Sequence, residues 1–248
     1  RMYESKFLIG AIAAALSRTE HLGYVADYPI YGEMANINAF ALGARMVNPY
    51  AKVHLEWSKT EGQNARERLK QEGVVFISDH DMITPRSASR EYGLYRKKED
   101  GSLENLATPI WDWGKFYERI IRNLCAGSSE TNAQKGKKAV NYWWGLSADV
   151  IDVICAKSMP CETRRLIEFL KHSIRTGAFH PFDGLLRSQD GEVRCKEGET
   201  LEPDEIITMD WLAEGILGRI PEFEELTKEA QALVQLQGIK TDETSEEA

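Results

Sequence analysis

Asp79-His80-Asp81 closes a run of β-branched and aromatic residues, VVFIS, and Pro85 follows a few residues later. Acid, histidine and acid side by side can ligate a metal, move protons or hydrogen-bond a polar ligand. In an extended segment Asp79 and Asp81 face one way and His80 the other, so the three do not readily converge on one ion. The remaining histidines, His21, His54, His172 and His180, are scattered, and no HExxH motif is present. Neither a metal nor a cofactor is expected. A structural loop and a ligand contact both stay open, and an enzymatic reading would make the three residues acid–base groups. The GxSxG elbow of a serine hydrolase, the GxGxxG fingerprint and the phosphate-binding P-loop are all missing from the sequence.

A second cluster lies in IWDWGKFY, where Trp111, Asp112, Trp113 and Lys115 gather at an expected helix start. Aromatic rings beside an acid and a lysine suit stacking on a flat or sugar-like ligand. Equally, one tryptophan can be core, and Asp112 a first-turn acid favoured by the helix dipole. The four cysteines, Cys125, Cys155, Cys161 and Cys195, have no CxxC spacing and read as ordinary thiols, which favours a reducing compartment.

These residues need a frame. From His21 the pattern alternates between strand and helix. HLGYVADY, AKVHLEW and VVFIS read as strands, and EMANINAFALGARMVN as a helix stopped at Asn48-Pro49. TEGQNARERLKQEG reads as a polar helix capped by Thr60 and ended by Gly73, and TPRSASREYG as a short helix capped by Thr84. LYR is a candidate fourth strand. This order predicts an α/β fold with a parallel sheet covered on both faces. Ligands of such sheets sit outside the carboxyl ends of the strands. The loops Asp27–Gly32, Trp57–Gly62 and Asp79–Pro85 therefore converge on one edge. The predicted lining is Tyr28, Tyr31, Asn36, Asp79, His80, Asp81, Trp111 and Trp113.

Further on, LATPI reads as an extended piece, and WDWGKFYERIIRNLCAG as an amphipathic helix ending near Gly127. SSETNAQKGKK reads as a loop and AVNYWWGL as an aromatic strand. PCETRRLIEFLKHSIRTG reads as a helix with Leu166, Phe169, Leu170 and Ile174 on one face. FDGLLRSQDGEVRC is an expected hairpin turning at Asp190-Gly191, MDWLAEGILGRIPEF a short helix, and the polar tail 240–248 disordered. A chain of 248 residues with 42% apolar content can bury a sizeable core, and a net charge of -8 argues against nucleic acid. The longest apolar run, Phe7–Leu16, is about half a membrane span and reads as a buried helix.

Several segments together resemble the basic membrane protein family, the PnrA-like substrate-binding proteins of ABC transporters. They are FLIGAIAAALSRTEHLGYVADYPI, INAFALGARMVNPYAKVHLEW, EGVVFIS and IRTGAFHPFDGLLRSQDG. The most specific pieces are Gly43, Asn48 and Pro49 before a strand ending in Trp57, and the Pro181–Gly191 hairpin. The resemblance implies a type I periplasmic-binding-protein fold, two α/β lobes around a cleft, with most of the amino-terminal lobe upstream of Arg1. On that expectation residues 1–20 are the last helix of that lobe, 21–104 the second lobe, and 105–239 crossing and carboxy-terminal segments. It also implies non-catalytic binding of a small polar solute, in relatives often a purine nucleoside. The implied partner is an ABC permease, and the implied location extracytoplasmic and membrane-anchored. The alternatives are a cytoplasmic member, given the four thiols, and a ligand-sensing domain of a regulator. The sequence departs from the family at Asn36, where an aromatic is usual, at His80–Thr84 in place of a glycine-rich turn, and at LYRKK after Gly93. Trp111 stands where the family often has lysine. With one lobe elsewhere, the expectations are weak solute binding and a bare apolar face on Phe7–Leu16, covered by the sheet or by a second copy in a homodimer.

Overall fold

The computed structural model describes residues 1–82, 89–125 and 143–239. Helix α1 (Met2–Leu16) leads into strand β1 (His21–Ala26), helix α2 (Glu33–Val47), strand β2 (Lys52–Trp57), helix α3 (Ala65–Gln71) and strand β3 (Phe76–Ser78). Strands β4 (Leu94–Lys97) and β5 (Leu103–Trp111), helix α4 (Trp113–Cys125), strand β6 (Ile151–Cys155) and helix α5 (Cys161–Arg175) follow. The remainder is the hairpin β7 (Leu186–Arg187) and β8 (Val193–Cys195), helix α6 (Pro203–Ile207), strand β9 (Ile216–Leu217) and helix α7 (Lys228–Gln237).

One seven-stranded sheet, ordered β6-β5-β4-β3-β1-β2-β9, organises the chain. β3, β1, β2 and β9 are parallel, as the strand–helix alternation requires, whereas β4, β5 and β6 return as an antiparallel meander. The LYR segment is thus a fourth strand, but an antiparallel one, because no helix separates it from β5 and a short turn joins only antiparallel neighbours. The fold is α/β with helices on both sheet faces, the arrangement that the resemblance implies. Leu22, Tyr24 and Ala26 of β1 belong to the main core with α1, α2 and α5, and Val25 belongs to a smaller core with Ala65 and Leu69 of α3. Opposite faces for neighbouring strand residues follow from the two-residue period of a strand.

Helix α1 is covered within the chain. It packs on α2 and also reaches α5, β5 and β6. Tyr3, Phe7, Leu8, Ile9 and Ile12 are each at most 2% exposed, so the apolar face of Phe7–Leu16 is covered within the chain, the first of the two covers expected. Each such side chain contributes about 1.5–3 kcal/mol through burial. The two helices cross at Gly10 and Gly43, where an added Cβ would stand 1.9 Å from the Phe40 carbonyl oxygen and 2.0 Å from that of Phe7. Only hydrogen side chains permit this approach.

Several local expectations are corrected. Helix α3 is capped by Asn64, whose side chain accepts from Glu67 N at 3.2 Å, not by Thr60, whose hydroxyl donates to Trp57 O instead. Residues 89–93 are irregular, and the rest of the short helix expected at Thr84, the loop after Gly127 and the tail from Lys240 lie outside the described residues. Trp143 and Trp144 do not form a strand: they pack on Tyr3 and Phe116, and the strand comes later, at Ile151–Cys155. Phe169 is 66% exposed, and the buried side of α5 is Thr163, Ile167, Leu170, Lys171 and Ile174. MDWLAEGILGRIPEF is not helical; Asn38 of α2 holds it by bonds to Trp211 O and Ala213 N, and β9 then pairs with β2. At Gly218 a Cβ would meet Leu55 O at 2.7 Å, an approach that tolerates no side chain. Helix α7, capped by Thr227, gave no sign in the periodicity. The Asp190-Gly191 hairpin forms as expected, with Gly191 at φ 85°. All four cysteines are unpaired, and no described helix is long and apolar enough to cross a membrane.

Candidate functional site

The strand order β2-β1-β3 places β1 between the two strands that follow it, so the chain reverses its direction of travel across the sheet there. A crevice opens at such a point, outside the carboxyl ends of the strands. β1 ends into Asp27 and Tyr28, β2 into Ser58 and Lys59, and β3 into Asp79, His80 and Asp81. β5 runs in the same direction as β3, two antiparallel steps away, so its last residue Trp111 and the first of α4, Trp113, reach this edge too. Together they border an open cleft of about 1290 Å³.

A chain of charge pairs forms its floor. Arg66 of α3 grips Asp79 with two bonds, Nε to Oδ2 at 2.7 Å and Nη2 to Oδ1 at 3.0 Å, and the Asp79 side chain is wholly buried. Bidentate geometry of this kind is strong and directional. The backbone N–H of His80 also donates to Asp79, at 2.8 Å. His80 Nδ1 lies 3.0 Å from Asp27 Oδ2, and the Ser58 hydroxyl donates to the other Asp27 oxygen. The hydrogen bond to Asp27 raises the His80 pKa, against the opposing effect of burial. Burial pushes Asp27 upward, but the His80 and Ser58 bonds outweigh it, and its pKa falls below the usual value. On the other face of the sheet Lys6, 4% exposed, donates to Asp81 Oδ1 at 2.6 Å and stands 5.3 Å from the centre of the Tyr24 ring.

The alternation expected for residues 79–81 fails here. Asp79 turns to α3 and Asp81 to α1, on opposite faces, because β3 stops at Ser78 and the chain bends at Asp81. Among the described residues no group of three metal-ligating side chains could hold an ion.

At the opposite lip Trp111 and Trp113 are stacked, with ring centres 5.3 Å apart and planes 17° from parallel. They are 39% and 52% exposed, so neither is the core residue that one of them could have been. Of the eight predicted lining residues, Tyr28, Asp79, His80, Asp81, Trp111 and Trp113 border the cleft. Tyr31 does not: its backbone N–H bonds to Gln237 O, and its ring is exposed outside. Asn36 stands behind the wall and donates to Glu33 Oε2 at 2.9 Å.

Sequence reasoning missed Lys6, Glu33 and Arg66, which also line the cleft. A signal existed for Lys6, the one cation within the largely apolar helix α1, where burial demands a partner. Arg66 sits in a polar helix among other charges and carried none.

The profile of the family described as "ABC transporter substrate-binding protein PnrA-like" matches residues 1–174. A purine-binding protein of Brucella abortus is 25% identical over 234 residues, covering 90% of this chain and 65% of its own length. A putative ABC transporter glucose-binding protein of Haloferax volcanii is 31% identical over 162 residues, covering 60% of this chain and 39% of its own. The chain thus spans less than two thirds of the length of either relative. A solved structure, that of a transcriptional activator of the comK gene from Bacillus halodurans, superposes with a TM-score of 0.51 at 16% identity over 71% of this chain and 64% of that one. Its likeness concerns the fold alone.

Proposed function

The chain belongs to the PnrA-like family of ABC transporter substrate-binding proteins, and from that premise we propose that its cleft holds a purine base or nucleoside without chemistry, for delivery to an ABC permease outside the cytoplasm. The observation that carries this reading is the exposed Trp111–Trp113 stack facing a floor of paired charges. A flat ring gains from stacking on indole, while the polar floor fixes its orientation. Charge narrows the class further. Among the described residues the cleft cations are already paired, Lys6 with Asp81, Arg66 with Asp79, His80 with Asp27 and Lys59 with Glu229, which leaves none free for a phosphate and disfavours phosphorylated ligands. The purine-binding name of the Brucella relative favours a purine over the sugar of the Haloferax relative.

Calorimetry of this chain with adenine, adenosine, AMP and glucose tests the proposal. Adenine or adenosine should bind, AMP more weakly than adenosine, and Trp111→Ala should weaken adenosine about 2- to 10-fold, the worth of roughly 0.5–1.5 kcal/mol of ring stacking. Tighter binding of glucose than of any purine, or conversion of a bound nucleoside to product, would overturn it.

A further inference from the structure

Glu33 occupies the first turn of α2, immediately after Gly32 at φ 84°, and faces the cleft. The other cleft carboxylates all meet a cation. Asp27 has His80 at 3.0 Å, Asp79 has Arg66 at 2.7 Å, Asp81 has Lys6 at 2.6 Å, and Glu91 has Arg66 at 3.7 Å. Glu33 alone, among the described residues of the cleft, has only neutral hydrogen-bond partners. The Tyr24 hydroxyl donates to Oε1 at 3.2 Å and Asn36 Nδ2 to Oε2 at 2.9 Å. The charged and titratable groups facing it are Lys6 from α1, Tyr24 from β1 and Asp81 after β3, with Asp27 beyond Tyr24.

We propose that Glu33 is the specificity-determining residue of the cleft, and that its protonated carboxyl reads an amidine edge of the ligand, a ring nitrogen acceptor beside an exocyclic N–H donor. The inference rests on the purine reading above and adds which purine edge is recognised. A protonated carboxyl offers one O–H donor and one carbonyl acceptor side by side, the complement of the amidine edge of an aminopurine. An ionised carboxylate offers acceptors only and complements a pair of donors, as in a vicinal diol or the N1–H and 2-amino edge of a 2-amino-6-oxopurine. Which form is present follows from the surroundings. Burial pushes the Glu33 pKa up and Asp81 adds to this; Lys6, Asn36 and Tyr24 pull it back, and it stands at about 7. Lys6 is committed to Asp81, so it does not serve Glu33 as an ion-pair partner. A neutral ligand brings no cation either, so filling the cleft removes water from the carboxyl and favours the proton further.

The test is calorimetry with adenosine and with purine riboside, which lacks the exocyclic amine, at about pH 6 and about pH 8, on the native chain and on Glu33→Gln and Glu33→Ala, each checked for folding by circular dichroism. With a carboxyl titrating at about 7 and only its acid form binding, adenosine affinity should fall roughly tenfold between these pH values. Purine riboside should bind more weakly than adenosine at the lower pH, because it keeps the ring nitrogen and lacks the exocyclic N–H. Glutamine keeps a donor and an acceptor at every pH, so Glu33→Gln should retain adenosine binding and lose most of the pH dependence; any slope left belongs to His80. Glu33→Ala should lose affinity at the lower pH. Adenosine binding that ignores pH in the native chain, an unchanged slope in Glu33→Gln, or purine riboside bound as tightly as adenosine at the lower pH would overturn this inference while leaving the purine reading intact. Failure of every purine to bind would overturn both.

Discussion

Arg66 and Asp79 show how much of this cleft is held by single side chains. The Asp79 carboxylate is fully buried, and Arg66, 35% exposed, is its cation. Removing one partner of such a pair leaves an uncompensated charge in a poorly solvated place. Arg66→Met should cost about 2–4 kcal/mol in urea denaturation, toward the low side of buried pairs because the guanidinium keeps some water. Adding Asp79→Asn should recover part of that loss, since the stranded charge is gone; a double variant less stable than Arg66→Met would contradict the account. The His80–Asp27 pair has a different signature. The folded pKa of His80 is raised, so its stabilisation is present at acidic pH and fades as pH rises through that folded value. Asp27, lowered, contributes above its ordinary value and loses its contribution as pH falls. Comparing urea midpoints, His80→Gln should therefore destabilise more near pH 5.5 than near pH 8.5, by no more than about 0.5–1 kcal/mol because both groups are partly exposed.

Among the elements, the crossing of α1 and α2 is the tightest contact. Gly10 and Gly43 let each helix backbone meet the other without an intervening side chain. Because the obstacle to a Cβ is a carbonyl oxygen, no rotamer change relieves it. Gly10→Ala should lower stability by about 3 kcal/mol or more, beyond the usual cost of one added methyl in a core, visible as a lower thermal midpoint. Helix α1 also brings Lys6 to the cleft, so a shift of that crossing moves the Asp81 partner as well. At the other end of the range, Asn64→Ala removes only the cap of the seven-residue α3 and should cost about 1 kcal/mol.

For the molecule as a whole, the cleft is a place where folding stability has been given up for binding. Glu33 in the fold holds its proton up to about pH 7, against 4.5 for an ordinary glutamate. The unfolded chain releases that proton earlier, so stability declines as pH rises between these two values and stays reduced above them. The cost at pH 8 is about 1–3 kcal/mol. Glu33→Gln should accordingly be more stable than the native chain at pH 8 and gain little at pH 4, read from denaturation curves at both. A bound purine acts in the opposite sense. At a hundredfold excess over Kd it should add about 2.7 kcal/mol and raise the thermal midpoint, whereas AMP at equal concentration should raise it less.

The strand–helix alternation from His21 to Ser78, the burial of Phe7–Leu16 and the convergence of three loops on one sheet edge were legible in the residues, because short-range periodicity encodes which face of each element is apolar. The family resemblance was legible too: its Gly43–Trp57 motif lies within the matched residues 1–174, whereas the Pro181–Gly191 hairpin lies beyond them. Tertiary structure alone decided the rest. Nothing in LYR or LATPI states a strand direction, and the antiparallel meander that carries Trp111 to the cleft depends on which neighbour each strand finds. Asp79 and Asp81 diverge to Arg66 and Lys6, partners distant by 13 and 75 residues in sequence, after the strand whose alternation would have kept them together has ended. Glu33, the acid in the first turn of α2, was not singled out by its sequence. Its raised pKa arises from burial beside Tyr24 and Asp81, and burial is a property of the assembled chain, not of any window along it.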